Sequence, residues 1–322
     1  MMVLHSDRSA ETEAQAVTTQ EKTSKTIQLA IMNAVHDLAV IEARDEGYFA
    51  DEGLDIEFIT APGMAQVTTD SAILKREAMF DRPLDTMYNE GGLDQYRMCE
   101  WGIMKRAVEA ADCGLRLRKI VALGASMSKF AIVVAPDSPY YEPEQLKDKP
   151  IALTPYNGSN FTTLKMMEGF VKHEHLKTTQ VGTMRDRLEA VRDAKVAAAC
   201  IMEPWISVAQ KWGFRILIET HSSRSEAASD NLDGPTLAAM FRAQARAVEK
   251  FHENPTPYLH YLTQETGGLL EPHELQAWRL VLAPPLPYTR ERFEDTYNWM
   301  LSWDMVTPGA TYENTVDNRA WE

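Results

Sequence analysis

The chain contains only three cysteines, Cys99, Cys113 and Cys200, and no two stand at a C-x-x-C spacing. So odd and sparse a set excludes a disulfide framework and offers no zinc pattern; reduced thiols are expected. No apolar run is long enough to span a bilayer, so no membrane insertion is expected. Positive charge is also short: 33 Lys and Arg stand against 47 Asp and Glu, a formal net charge of -14. An acidic surface repels phosphate backbones and anionic lipid, which argues against nucleic acid and membrane partners. It leaves open a small anionic ligand, because a local pocket can differ from the global field. There is no internal repeat. Residues 1–25, rich in Ser, Thr, Gln and Glu, lack a basic stretch leading into an apolar one, so they read as a disordered tail without an export signal. A cytoplasmic location is the expectation.

What is present suits a globular protein. With 44% hydrophobic and 25% charged residues over 322 positions, the chain can bury a sizeable core, and its length favours two lobes. Thr26 to Met32 alternates, with Ile27, Leu29 and Ile31 on one face, which predicts a strand. Leu38 to Glu46 predicts a helix, with Asp37 as a candidate N-cap and Gly47 just past the end. Leu54 to Ile59 alternates again, so these elements form a βαβ unit with parallel strands. Ser71 to Phe80 reads as helical, Pro83 to Glu90 as containing a short strand, and Leu93 to Val108 as a helix. Lys119 to Leu123, Phe130 to Ala135, Ile151 to Thr154, Val196 to Ile201 and Phe214 to Ile218 read as strands. Asn160 to Val171, Arg185 to Ala194 and Ile206 to Trp212 read as helices. From Pro235 onward the pattern is helical, with a last helix over Thr289 to Trp303. Ligands of open α/β sheets sit at the carboxyl ends of strands. That rule selects Asn33 to Asp37, Asn89 to Gly92, Thr154 to Phe161 and Cys200 to Trp205.

Three segments carry a resemblance. Ala43 to Asp55, reading ARDEGYFADEGLD, is similar to an A-x-x-x-G-Y-F-x-x-E-G-L-D signature. Asp137-Ser138-Pro139 through Leu146 to Thr154 is similar to D-S-P…L-K-G-K-x-I-x-V-T, and Ala194 to Trp205 to G-x-V-D-A-A…E-P-W. Together they resemble the type II periplasmic-binding-protein-like proteins, in the branch that binds nitrate, sulfonates, taurine and thiamine pyrimidines. The resemblance implies an α/β, two-lobed fold with a cleft between the lobes and a helical C-terminal segment. It implies a discontinuous first lobe, residues 26–118 and 222–322, and a second lobe, 119–221. Most members are exported receptors, for which an ABC permease is the partner; a minority are cytoplasmic enzymes on the same scaffold. Among those, pyrimidine synthases carry a cysteine-rich iron-binding run that is absent here. A desulfinase carries an Asp-x-Pro followed by an Arg-x-Gly-Gly element, to which Asp81-Arg82-Pro83 and Gly91-Gly92 respectively look similar. Asn89 stands in place of its Arg, Glu77 in place of its His, and Ala34 or a neighbour in place of its Cys.

The candidate residues follow. Tyr156, Gly158, Ser159, Asn160 and Phe161 lie between a strand and a helix, where free N–H groups would face a sulfonate, carboxylate or phosphate; alternatively, Ser159 only caps the helix. Asn33, His36 and Asp37 follow the first strand. His36 is either a cleft residue, donating to an anion or moving a proton, or a surface histidine. Asn89, Gly91 and Gly92 offer a close backbone approach. Glu203 and Trp205 present either a carboxylate and an aromatic face to the cleft or a packed core. Cys200 is either a nucleophile or an inert core thiol. His173-Glu174-His175 does not share a helix face, and Trp299 with Trp303 form one packed face. No cofactor and no metal are expected. Two functions stay open. One is a protein that closes on a small anionic ligand, a carboxylate or sulfonate, with or without an aromatic ring. The other is a cofactor-free decarboxylase or desulfinase-like enzyme with His36 as its proton-transfer group.

Overall fold

The computed structural model describes residues 26–60 and 79–322. The tail 1–25, most of the helix expected over Ser71 to Phe80, and Glu77 lie outside them.

The chain opens as expected, with strand β1 (Ile27–Ile31), helix α1 (Ala34–Asp45), a single turn α2 (Tyr48–Asp51) and strand β2 (Ile56–Thr60). β1 and β2 pair in parallel from Ile27 with Ile56 to Ile31 with Thr60. Helix α1 begins earlier than expected, because Asn33 and not Asp37 is its cap. The Asn33 side chain accepts from the His36 N–H at 3.1 Å, leaving Asp37 inside the first turn. Gly47 ends the helix in the left-handed region at φ 77°, which glycine adopts without the clash a Cβ would bring.

Next come α3 (Pro83–Asn89), β3 (Gln95–Cys99) and α4 (Glu100–Glu109). Two expectations fail here. Pro83 to Glu90 is a helix, with Pro83 at its first position, where a missing N–H costs nothing. Leu93 to Val108 is a strand followed by a helix. All five residues of β3 are buried, so it has no polar face to give the alternation of a half-exposed strand. Its polar members are paired inside: Arg97 donates to Asp37 at 2.7 Å and lies 3.7 Å from Glu226.

The remaining elements are β4 (Lys119–Val134), β5 (Pro150–Leu153), α5 (Gly158–Met167), β6 (Lys177–Gln180), α6 (Met184–Arg192) and β7 (Ala198–Met202). They continue with α7 (Trp205–Lys211), β8 (Arg215–Ala228), α8 (Gly234–Glu253), α9 (Leu259–Gln264), β9 (Val281–Leu282), α10 (Arg290–Ser302) and α11 (Tyr312–Thr315). The strands form one sheet in the order β2-β1-β3-β8-β4-β7-β5-β6, with β9 added on β4. One lobe is built on β2-β1-β3 and the other on β7-β5-β6, while β4 and β8 run antiparallel through both. The stretches expected as separate strands at Lys119 and Phe130 are one strand, and the strand expected to end at Ile218 runs on to Ala228. The β4–β8 ladder stays continuous by shifting register between Leu123 and Met127, which absorbs the polar stretch between two apolar runs. Among the described residues no helix is long and apolar enough to cross a membrane.

Buried charge holds the first lobe together. Asp85 accepts from Arg106 Nε and Nη2, each at 2.7 Å, and from Arg118 Nη1 at 3.1 Å. None of the three side chains is more than 1% exposed. Removing the shared carboxylate leaves two buried guanidiniums with carbonyl, amide and phenol partners but without the countercharge they share. We expect Asp85→Ala to cost about 3–5 kcal/mol of folding stability, read from the midpoint of urea unfolding. A cost below about 1 kcal/mol, the size of an exposed pair, would show that the carboxylate does not anchor this lobe.

Candidate functional site

A cavity of about 530 Å³ lies between the lobes, within the usual range for small-molecule sites. Its walls come from the loop after β1, the start of α3, the end of β3, the loop between β5 and α5, the start of α6, the loop after β7, the middle of β8, and the turn after α9.

Of the residues singled out from the sequence, Asn33, His36, Tyr156, Gly158, Ser159, Glu203 and Trp205 line this cavity. The others do not. Asp37 is turned inward, accepting from the N–H groups of Met32 and Asn33 at 2.6 and 3.2 Å as well as from Arg97. Asn89 accepts from Arg118 behind the helix. Gly91 and Gly92 terminate α3: Gly91 takes φ 84°, and their N–H groups return to the Tyr88 and Met87 carbonyls at 3.1 and 2.9 Å. They are a helix stop rather than a ligand cradle. Asn160 is occupied with the Tyr156 N–H at 3.1 Å, and Phe161 is fully buried against Trp101.

The helix start expected to hold an anion is already satisfied. Asn157 is the cap of α5. Its side chain accepts from the Ser159 N–H at 3.0 Å, and its carbonyl from the N–H groups of Asn160 and Phe161 at 3.0 and 3.1 Å. Ser159 Oγ donates to Asn157 Oδ1 and accepts from the Thr154 N–H. Gly158 sits close against its neighbours: a Cβ there would stand 3.1 Å from Phe130 Cζ, so the ring would have to give by a few tenths of an ångström.

Positive charge comes instead from side chains that the sequence did not mark. Arg82, Arg187 and Arg224 line the cavity and are 5%, 2% and 2% exposed. Among the described residues none has a carboxylate partner. Arg82 Nη1 and Nη2 donate to the carbonyls of Tyr156 and Pro155 at 3.2 and 2.8 Å. Arg187 donates to the carbonyls of Val181 and Cys200 at 3.2 and 2.8 Å and to Thr154 Oγ1. Arg224 donates through Nε and Nη2 to Ser128 Oγ. Burial draws each pKa down to about 10, so all three stay charged at neutral pH. By contrast Arg106, on the same wall, is neutralised by Asp85.

Three further ionisable groups of the cavity, His36, Glu203 and Glu265, are shifted toward their neutral forms. Both ring nitrogens of His36 are buried with no hydrogen-bond partner among the described residues. Burial, then the charges of Arg224 and Arg97, push its pKa well below the ordinary value. Glu203 accepts from the Ser207 N–H and hydroxyl at 3.2 Å each, with Arg279 at 3.7 Å, and burial raises it to about 7. Glu265 accepts from the Ala34 N–H and is likewise raised by burial to about 7. Between these groups the lining is apolar and soft: Met32, Met98, Met184 and Met202, with Phe130 and Trp205. Cys99 lines the cavity with its thiol pKa raised by burial, whereas Cys200 is fully buried in β7, off the cavity.

Two further motifs are placed. His173 packs on Trp303 with ring centroids 4.1 Å apart, and His175 pairs with Asp148. The indole N–H groups of Trp299 and Trp303 both donate to Glu168, at 2.7 and 3.3 Å. Among the described residues no three His, Cys, Asp or Glu side chains gather as a metal ion would need.

Glu265 yields a pH prediction. A carboxyl whose pKa rises from 4.5 to about 7 on folding destabilises the fold as pH climbs through that window, because the unfolded chain ionises first. The penalty is absent below about 4.5 and complete above about 7. Glu265→Gln keeps an acceptor for the Ala34 N–H and removes the titration. Between pH 5 and 8 the variant should gain stability relative to the parent, by up to about 3 kcal/mol, measured by urea unfolding at each pH. A pH-independent difference would sink this reading.

No protein-family model and no curated sequence matches the chain. Solved structures do. The alkanesulfonate-binding protein SsuA from Xanthomonas axonopodis pv. citri, bound to MOPS, matches over 88% of this chain and 94% of its own, with TM-score 0.67 and 14% identity. The periplasmic aliphatic sulphonate binding protein SsuA from Escherichia coli matches over 92% of both chains, with TM-score 0.68 and 15% identity. The periplasmic nitrate-binding protein NrtA from Synechocystis PCC 6803 matches over 93% of this chain and 88% of its own, with TM-score 0.64 and 13% identity. The chain therefore has the two-lobed type II periplasmic-binding-protein fold that these sulfonate- and nitrate-binding proteins share.

Proposed function

We propose that this protein binds a small organic anion, a carboxylate or sulfonate, in the cleft between its lobes. One observation carries the reading: Arg82, Arg187 and Arg224 are buried on the wall of one cavity with no carboxylate partner among the described residues. A buried cation without a countercharge is expensive, and an anionic ligand supplies that countercharge. The upward shifts of Glu203 and Glu265 weaken their opposition to the arginines, and the carboxylates of Asp85 and Asp37, which act on Arg82 and Arg224, are themselves paired with Arg106, Arg118 and Arg97. The apolar lining suits an organic body, aromatic rings included, with Trp205 and Phe130 as stacking faces. The sulfonate- and nitrate-binding proteins of the same fold support an anionic ligand.

His36 favours a second reading, a cofactor-free lyase or hydrolase. Its imidazole lines the cavity, and both ring nitrogens are uncommitted among the described residues, which leaves them available for a proton.

A thermal-shift screen of carboxylates and sulfonates, MOPS included, tests both. A ligand at about 100 times its Kd stabilises the fold by about 2.7 kcal/mol, and mass spectrometry of the recovered ligand reports whether it has changed. We expect hits returned intact, with affinity lowered about tenfold or more in Arg224→Gln. Turnover that is lost in His36→Ala would replace the binding reading by the second one. If no anion raised the melting temperature, or Arg224→Gln left the shift intact, the site assignment would fall.

A further inference from the structure

We propose that helix α5 is a strap across the cleft, latched by Glu168, and that this latch governs how readily the cavity opens although Glu168 does not line it.

One face of α5 belongs to the second lobe. Met166 and Met167 are buried there with Ile151 and Leu153 of β5 and with Ala198 and Cys200 of β7. The other face lies on the first lobe. A Cβ on Gly158 would stand 3.6 Å from Cys99 Cβ, at the end of β3. The Phe161 ring is 6.2 Å from that of Trp101 on α4. The Lys165 ammonium is 5.1 Å from the centre of the Trp299 ring on α10. Glu168 accepts from the indole N–H groups of Trp299 and Trp303, at 2.7 and 3.3 Å. Spacings of three, four and three residues put these four positions on one side of the helix. The receiving surface is continuous, since the rings of Trp101 and Trp299 are 5.5 Å apart and those of Trp299 and Trp303 6.2 Å.

The two ends of this seam differ. At the cavity end it is dry: Phe161 and Cys99 are buried, and Arg82 reaches from the first lobe to the carbonyls of Pro155 and Tyr156. At the outer end it is wet, with Lys165 and Glu168 exposed. Hydrogen bonds at an exposed rim exchange with water at modest net cost, so separation begins at Glu168. Asn157, Gly158 and Ser159 at the head of the same helix form part of the cavity wall. A seam that parts along α5 therefore opens the cavity too. The helix loses none of its own end bonds in doing so, because Asn157 caps it from within the same loop. The proposal does not depend on what the cavity binds.

Thiol labelling of the native full chain with iodoacetamide, resolved by peptide mass spectrometry, tests it without a ligand. Cys99 lies under Gly158 on the seam, whereas Cys200 lies in β7 on the second-lobe side of α5. In the unaltered protein Cys99 should react about tenfold or more faster than Cys200, because parting of the seam uncovers only the first and global unfolding uncovers both alike. Glu168→Ala should speed Cys99 about tenfold and leave Cys200 unchanged. Glu168→Gln, which keeps an oxygen acceptor, should return Cys99 to within about threefold of the parent. Trp299→Phe combined with Trp303→Phe, which keeps the rings and removes both donors, should reproduce Glu168→Ala. Equal rates at Cys99 and Cys200 in the unaltered protein, or a Cys99 rate in Glu168→Ala within about twofold of the parent, would overturn the latch. Either result leaves the anion reading standing, and the first needs no variant to fold.

Discussion

The antiparallel pairing of β4 with β8 is the constraint on which everything at the cleft depends. These two strands run through both lobes, so the lobes share a frame from Lys119 opposite Ala228 to Val134 opposite Arg215. The same ladder carries Phe130, Ser128 and Arg224, and so sets the floor of the cavity while it joins its walls. β3 adds to the first-lobe end of β8, and β7 to the second-lobe end of β4. Each wall thus inherits its position from the central pair.

Around that frame the backbone satisfies itself and the side chains do not. The first turns of α1 and α5 are closed by Asn33 and Asn157, with Asp37, Glu265 and Ser159 meeting further N–H groups nearby. What reaches the cavity unsatisfied is side-chain chemistry: guanidinium N–H groups and both nitrogens of His36. Helix ends are general anion binders, but here they are spent on folding. In the proposed reading, the charge that meets the ligand therefore comes from residues that a substitution can tune one at a time.

Much of the fold was legible because its first two strands alternate. β1 and β2 show a two-residue period, and α10 spans the stretch expected for the last helix almost to the residue. The centre was not legible. β3 is buried on both faces, and the last ten residues of β8 read Glu-Thr-His-Ser-Ser-Arg-Ser-Glu-Ala-Ala, a polar composition made tolerable only by partners far away in sequence. The site divides in the same way. Loops after β1, β5 and β7 follow from a general rule about strand ends, and they placed Asn33, His36, Tyr156 and Glu203 at the cavity. The segment at Asn89 to Gly92 was chosen by treating α3 as a strand, and it went wrong with that element. Arg82, Arg187 and Arg224 could not be read locally, because an arginine becomes a binding group only when no carboxylate arrives to neutralise it.

The methionine wall has a consequence of its own. Met32, Met98, Met184 and Met202 are unbranched thioethers that change rotamer at little cost, whereas the arginines around them are pinned by carbonyls and hydroxyls. A lining of this kind conforms to whatever lies between fixed points. In the proposed reading, ligand bodies of different breadth would be told apart poorly and the charged group sharply, so that tolerance and discrimination occupy different parts of the same cleft.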